Sequence, residues 1–183
     1  MRPRYSGLIL SAAVAALYSP ALHATTVRQA SLEQLVRGAD LVFHGVVGEV
    51  NEALAPTAAG PFRTKVEFEV LENIKGGLKS GQIFSMVVPG GRGHGKTMVI
   101  PGMPRFKKGE QLILLLEKTR FGYIPSGLAQ GVLWVRARGK TPVIERDLEG
   151  LHWVNEKMPK SIQMPLASML EYLRGEVKKG ALR

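Results

Sequence analysis

The sequence of 183 residues lacks cysteine and long apolar runs. Without cysteine, no disulfide can cross-link the chain, so stability must come from an ordinary hydrophobic core. No thiol is present to carry a lipid either. Beyond the amino-terminal region, the longest uninterrupted apolar run is "LILLL" at residues 112–116, whereas a membrane-spanning helix needs roughly 20 apolar residues. We therefore expect no transmembrane segment in the mature chain and a soluble protein.

Acidic and aromatic residues are also scarce. There are 15 acidic against 25 basic residues, a formal net charge of +10, and aromatics make up 7% of the chain. A basic balance of this size favours anionic partners such as lipid headgroups, acidic glycans or an acidic protein face. The alternative is ordinary solubility charge, because the basic residues are spread along the chain. Nucleic acid is not predicted as a partner, since no run of stacking aromatics is interleaved with the basic positions.

The first residues have the three parts of a secretory signal peptide. Arg2 and Arg4 precede the apolar run "LILSAAVAALY" at 8–18, which leads to the small-residue exit "SPALHA". We expect residues 1–24 to be removed and the protein to be periplasmic or secreted. This leaves 159 of the 183 residues, enough for one domain, and the loss of two arginines lowers the net charge from +10 to +8.

The remaining sequence is dominated by short strand patterns separated by glycine turns. "ADLVFHGVVGEV" at 39–50 predicts a long buried or curled strand, and "TKVEFEV" places Val66, Phe68 and Val70 on one face of another. Glycine turns and the apolar run at 112–116 complete the pattern. The sequence thus predicts a mainly β protein, with a small antiparallel barrel or sandwich over residues 25–150.

Two helices are predicted, one near each end of the mature chain. Ser31 followed by Gln34 has the form of a capping box, which predicts a short helix ending near Gly38. In the extension 151–183, apolar residues at spacings of three and four predict an amphipathic helix that packs on the barrel. These apolar residues are Ile162, Leu166, Leu170, Leu173 and Val177.

The stretch "GGRGHGKT" at 90–97 satisfies the phosphate-loop pattern G-x-x-x-x-G-K-[ST]. That loop works only where a helix begins at its lysine, so that backbone N–H groups and the helix terminus converge on the phosphates. Here Lys96 is followed by Pro101 and Pro104, which disfavour helical backbone. We expect no helix at Lys96, and nucleotide binding stays a remote alternative.

No pattern in the sequence predicts catalysis. After the signal peptide the histidines are His44, His94 and His152, widely separated and without a zinc-binding motif. There is no G-x-S-x-G motif for a serine nucleophile. We therefore predict no catalytic residues, no metal site and no cofactor. His44, in phase with Val42 and Val46, is interpreted as a packed strand histidine.

One segment is a candidate binding site. Residues 92–108 contain several cations and no acidic residue, and glycine-rich backbone with flanking cations can form an anion-binding concavity. The alternative is a solvated long loop that binds nothing. The candidate ligand-binding residues are Arg92, His94, Lys96, Arg105, Lys107 and Lys108.

The order of the motifs resembles a known group. "LVRGADLVFHGVVGEV", "TKVEFEVLENIKGG", "GMPRFKKGEQLILLLE" and "YIPSGLAQGVLWV", between residue 31 and about residue 136, resemble exported bacterial proteins of unassigned function. More remotely they are similar to the netrin-module and metalloproteinase-inhibitor superfamily, which implies an OB-like barrel. The cysteine with which those inhibitors chelate zinc is absent, so inhibition by that route is not implied.

Two further hypotheses follow. The first is an exported binding or accessory domain without catalysis, which binds an anionic ligand or surface through the segment 90–108. The second is an accessory or inhibitor-like partner of a secreted protease or another exported protein, and it depends on the resemblance alone.

Overall fold

The computed structural model describes residues 26–54, 62–154 and 162–181. The predicted signal peptide, residues 1–24, lies outside the described residues and stays a prediction. The fold is mainly β, as the sequence predicts, with an antiparallel sheet and two helices. Neither described helix is long and apolar enough to cross a membrane.

The strands of the described residues are β1 (Thr26–Val27), β2 (Leu41–Leu54), β3 (Arg63–Lys75), β4 (Ile83–Pro89), β5 (Gly91–Gly93), β6 (Lys96–Met98), β7 (Gln111–Thr119), β8 (Gly122–Pro125), β9 (Val132–Arg138), β10 (Thr141–Glu145), β11 (His152–Trp153) and β12 (Met164–Pro165).

The first helix, α1 (Leu32–Gly38), begins at the predicted capping box. The Ser31 hydroxyl accepts from the Gln34 N–H at 3.1 Å, and the Gln34 carboxamide oxygen accepts from the Ser31 N–H at 2.8 Å. At the other end, the Lys75 ammonium group donates to the carbonyls of Val36, Arg37 and Ala39. A cation there satisfies free carbonyls and opposes the negative end of the helix dipole.

The second helix, α2 (Leu166–Ala181), packs on the outer face of the sheet. Met169 and Leu173 have no exposed surface, and the apolar residues predicted from the spacing lie around them. The segment that follows residue 150 also joins the rest of the fold through backbone pairing: β11 pairs with β1, and β12 pairs with β10.

The main sheet has the order β12-β10-β9-β7-β2-β3-β4, and β8 also pairs with β7. β7 lies near its centre and is apolar on both faces because it separates two cores. Leu112, Leu114 and Leu116 point to one core, and Ile113 and Leu115 point to the other. A run of five buried apolar residues is what a strand covered on both sides requires.

The first core lies on the face of the sheet opposite α1 and α2 and is rich in aromatic rings. Val66, Phe68 and Val70 of β3 point into it, as their alternation with charged residues predicts. Phe43 contacts the edges of Phe68 and Phe84, with ring centroids 6.1 and 5.4 Å apart. The second core joins the opposite face of the sheet to α1 and α2.

Among the described residues, backbone pairing does not close the sheet into the predicted OB-like barrel. Among the described residues, β4 has no backbone pairing along the edge that faces away from β3. β8 approaches that edge, and Phe84 and Tyr123 meet there with ring centroids 5.6 Å apart. The two strands therefore meet through side chains, and the barrel stays a prediction.

The glycine-rich segment is more ordered than the long loop that the sequence predicts. β5 and β6 form a small hairpin, in which Gly91 pairs with Met98 and Gly93 with Lys96. Its two-residue turn has positive φ at both positions, 49° at His94 and 72° at Gly95. Such a turn matches the right-handed twist of a hairpin. As predicted, no helix begins at Lys96, which is the first residue of β6.

Candidate anion-binding site

The base of the β5–β6 hairpin is packed against the main sheet. Gly91 has φ of +151°, and a Cβ there would lie 2.4 Å from the Glu52 carbonyl oxygen. The buried Thr64 hydroxyl donates to the Gly90 carbonyl at 2.8 Å, and the Gly90 N–H donates to the Phe62 carbonyl at 2.8 Å. Close approach to β2 therefore explains the glycine at 91 without any bound phosphate.

All six predicted cationic residues are exposed. Arg92 has one acidic neighbour, with its Nε 3.4 Å from a Glu52 carboxylate oxygen. The other five form no ion pair with any acid in the part of the chain that the structure describes. These five are His94, Lys96, Arg105, Lys107 and Lys108. The segment thus holds largely uncompensated positive charge.

Phe106 anchors the second half of this segment. Its side chain is 6% exposed and contacts two core rings, with centroids 5.3 Å from Phe68 and 5.8 Å from Trp134. Because Phe106 points into the core, its neighbours Arg105 and Lys107 are directed to solvent. This alternation fixes two of the candidate cations on one side of the molecule.

The structure does not bring the six residues into one site. Arg92 and Arg105 line a small cavity of about 60 Å³ beneath the hairpin. Arg105 and Lys107 line a cleft of about 530 Å³ on the other side of the segment. Lys108 lines a further cavity of about 520 Å³. His94 and Lys96 line none of these three cavities and lie at the tip of the hairpin.

Several residues of the 530 Å³ cleft were not predicted. Its lining includes Trp134, Arg136 and Glu110, together with Asp147 and Glu149. Arg136 is 3.2 Å from a Glu110 carboxylate oxygen, and its guanidinium lies 5.1 Å from the centre of the Trp134 ring. Glu110 directly follows the candidate segment, but the other four residues come from β9 and from the segment after β10, so no local pattern in the sequence connects those four with residues 92–108.

The phosphate-loop pattern has the wrong surroundings for nucleotide. Lys96 and Thr97 lie in β6, and Thr97 pairs with Arg92 across the hairpin. A phosphate-binding loop needs a helix whose first N–H groups face the phosphates. In the described residues that follow Thr97, the chain continues through turns to β7. The hairpin therefore lacks the geometry that gives the motif its function.

His44 is engaged within the fold. It is 7% exposed, and its Nε2 lies 2.8 Å from the Gln111 side-chain nitrogen, so the amide can donate to a neutral imidazole. Burial lowers the pKa of His44 below its ordinary value, partly opposed by Glu72. No group of three His, Asp or Glu side chains able to hold a metal occurs among the described residues.

Comparisons with protein-family models, curated proteins and solved structures return no match. The similarity to the netrin-module superfamily consequently stays a prediction. The assignment of a function depends on the chemistry of the cationic segment and of the cleft beside it.

Proposed function

We propose that the protein is an exported, non-catalytic binding domain that holds an anionic partner on the segment 90–108. The observation that carries this proposal is the set of four exposed lysine and arginine side chains in this segment that form no ion pair within the described structure. Unpaired surface charges of one sign attract an oppositely charged partner and raise its rate of association. The packed base of the hairpin and the buried Phe106 hold these charges in place before any partner arrives.

Each contact is expected to contribute little free energy of binding, and these contributions should add over several contacts. An exposed ion pair contributes about 0.2–1 kcal/mol, so the four lysine and arginine contacts supply about 1–4 kcal/mol. Binding should therefore need a multivalent anion, such as an acidic polysaccharide, and should weaken with added salt. At physiological ionic strength the screening length is about 8 Å, so the attraction between exposed charges farther apart than this is largely lost.

The proposed architecture is an OB-like barrel with one unpaired seam. Antiparallel pairs link β4, β3, β2, β7 and β8 in that order, so β8 runs in the same direction as β4. The Phe84–Tyr123 contact across the seam supports this proposal. A partly open five-stranded barrel is a recognised form of the OB fold.

The test is a binding titration with heparin, a highly anionic polysaccharide, at low and at physiological salt. A variant with Lys96, Lys107 and Lys108 changed to glutamine should bind about 3- to 100-fold more weakly, since three exposed contacts of about 0.2–1 kcal/mol each are lost. The matched control changes three lysines outside the segment to glutamine and so has the same net charge. The control residues are Lys118, Lys140 and Lys178.

Equal losses in the two triple variants would show a general charge effect and would contradict a site at 90–108. Absence of heparin binding by the unmodified protein at low salt would also contradict the proposal. Circular dichroism and thermal unfolding establish that both variants are folded before their affinities are compared.

A further inference from the structure

The 530 Å³ cleft is lined by two segments of opposite charge, which are its two walls. The segment before β7 contributes Arg105 and Lys107 to the lining, and the segment after β10 contributes Asp147 and Glu149. All four side chains are exposed, and within the described residues none forms an ion pair. Two charges of each sign therefore line one cleft without neutralising each other.

The walls meet at their base through close backbone contact. Ala129 donates its N–H to the Gly102 carbonyl at 3.0 Å, which ties the first wall to the turn before β9. A Cβ on Gly102 would lie 2.3 Å from the Leu151 side chain, so the segment after β10 packs directly against Gly102. This contact holds the base of the cleft in place, while the charged side chains lie in solvent.

The other two charged residues that line the cleft pair with each other, so these four remain available for a ligand. Arg136 and Glu110 neutralise each other at 3.2 Å. One carboxylate oxygen of Asp147 accepts the Glu149 N–H at 3.0 Å, which orients the side chain and leaves its second oxygen available for a ligand. The volume also falls in the range of about 300–1,000 Å³ that is usual for small-molecule sites.

We propose that this cleft binds a small zwitterion, with its anionic group against Arg105 and Lys107 and its ammonium group against Asp147 and Glu149. The anionic group is a carboxylate or a phosphate. This inference deepens the proposed function, because Arg105 and Lys107 belong to the cationic segment, and it adds an acidic subsite to that segment. A purely anionic ligand in the cleft meets two carboxylates, whereas a zwitterion complements both walls.

The probes are free diglycine, which is zwitterionic at pH 7, and two derivatives that each lack one charge. N-acetyl-diglycine has no ammonium group, and diglycinamide has no carboxylate. Glycine and triglycine vary the separation of the charges, and phosphoethanolamine replaces the carboxylate by a phosphate. Binding is measured by calorimetry at low ionic strength. We expect at least one zwitterion to bind and each singly charged derivative of diglycine to bind at least about tenfold more weakly.

Substitutions in each wall test which charge of the ligand that wall binds. Asp147→Asn with Glu149→Gln should weaken zwitterion binding about tenfold without weakening heparin binding, since asparagine keeps the acceptor for the residue 149 N–H. Arg105→Gln with Lys107→Gln should weaken both. Glu171→Gln on α2 is the control for loss of an exposed carboxylate, and thermal unfolding verifies each fold.

The outcomes separate this inference from the proposed function. If heparin binds and none of the four zwitterions does, the zwitterion site is overturned and the anionic surface stands. Equal binding of diglycine and N-acetyl-diglycine likewise overturns the acidic subsite. If diglycine binding needs both walls and heparin does not bind, the cleft is supported and the multivalent anionic surface is overturned.

Discussion

The strongest single test of the link between core and candidate site is Phe106→Ala. Phe106 is 6% exposed and lies between Phe68 and Trp134, with ring centroids 5.3 and 5.8 Å away. Truncation removes the buried ring and leaves a cavity beneath the cationic segment. Substitutions of this kind lower the free energy of unfolding by about 3–5 kcal/mol.

The assay combines denaturant unfolding with thermal unfolding of the unmodified protein and the variant. For a chain of this length each kcal/mol corresponds to about 2–4 °C in Tm, so Phe106→Ala should lower Tm by about 10 °C. Phe106→Leu retains much of the apolar volume, and we expect it to cost less than half as much.

Binding gives a second readout of the same anchor. Without the ring, Arg105 and Lys107 are no longer held on one side of the molecule, and heparin affinity should fall although no charge has changed. Loss of less than about 1 kcal/mol of stability in Phe106→Ala, well below the usual cost of such a cavity, would refute the burial of this side chain. Unchanged heparin affinity, measured where the variant is fully folded, would refute its role in positioning the cations.

Two further predictions concern the hairpin and the buried histidine. Gly91→Ala should destabilise the protein by about 2–4 kcal/mol, because its Cβ would meet the Glu52 carbonyl at 2.4 Å. At Gly95 a Cβ would have no atom within 4 Å, so Gly95→Ala should lower the free energy of unfolding by only about 1–2 kcal/mol, the cost of a positive φ. Equal losses for the two variants in denaturant unfolding would contradict close packing at Gly91. Because burial lowers the pKa of His44 from 6.5, the unfolded chain gains a proton first as pH falls, so stability decreases below about pH 6.5. The unfolding free energy of His44→Gln should depend less on pH there, and an unchanged slope would contradict this assignment.

The parts of the fold that the sequence predicts correctly have local causes. The capping box at Ser31 and Gln34 satisfies helix N–H groups within one turn, and it appears in the structure with both hydrogen bonds. The alternation from Lys65 to Val70 requires only one buried face, and the apolar spacing in α2 requires only one stripe. Each signal depends on neighbours a few residues away, so the rest of the chain has little influence on it.

The parts that the sequence does not predict depend on contacts between distant segments. Gly91 must be glycine because β2 passes beside it, and residues 90–98 have no periodicity that predicts a hairpin. The acidic wall of the cleft, Asp147 and Glu149, lies about 40 residues from Arg105 in the chain. A search for chemistry limited to neighbouring residues finds the cations and misses the carboxylates that line the same cleft.

The same reasoning explains how a phosphate-loop pattern arises without its function. At Gly90, φ is +99° and a Cβ would lie 3.1 Å from the Met98 carbonyl oxygen, and at Gly95 the hairpin turn favours a residue with positive φ. Lys96 then lies in an exposed strand, so its charge is available although no helix terminus supports it. Because the hairpin base is already packed, a ligand need not order the backbone when it binds, which lowers the entropic cost of association. The glycines thus act on binding indirectly: they fix the positions of the cations and do not themselves enclose an anion.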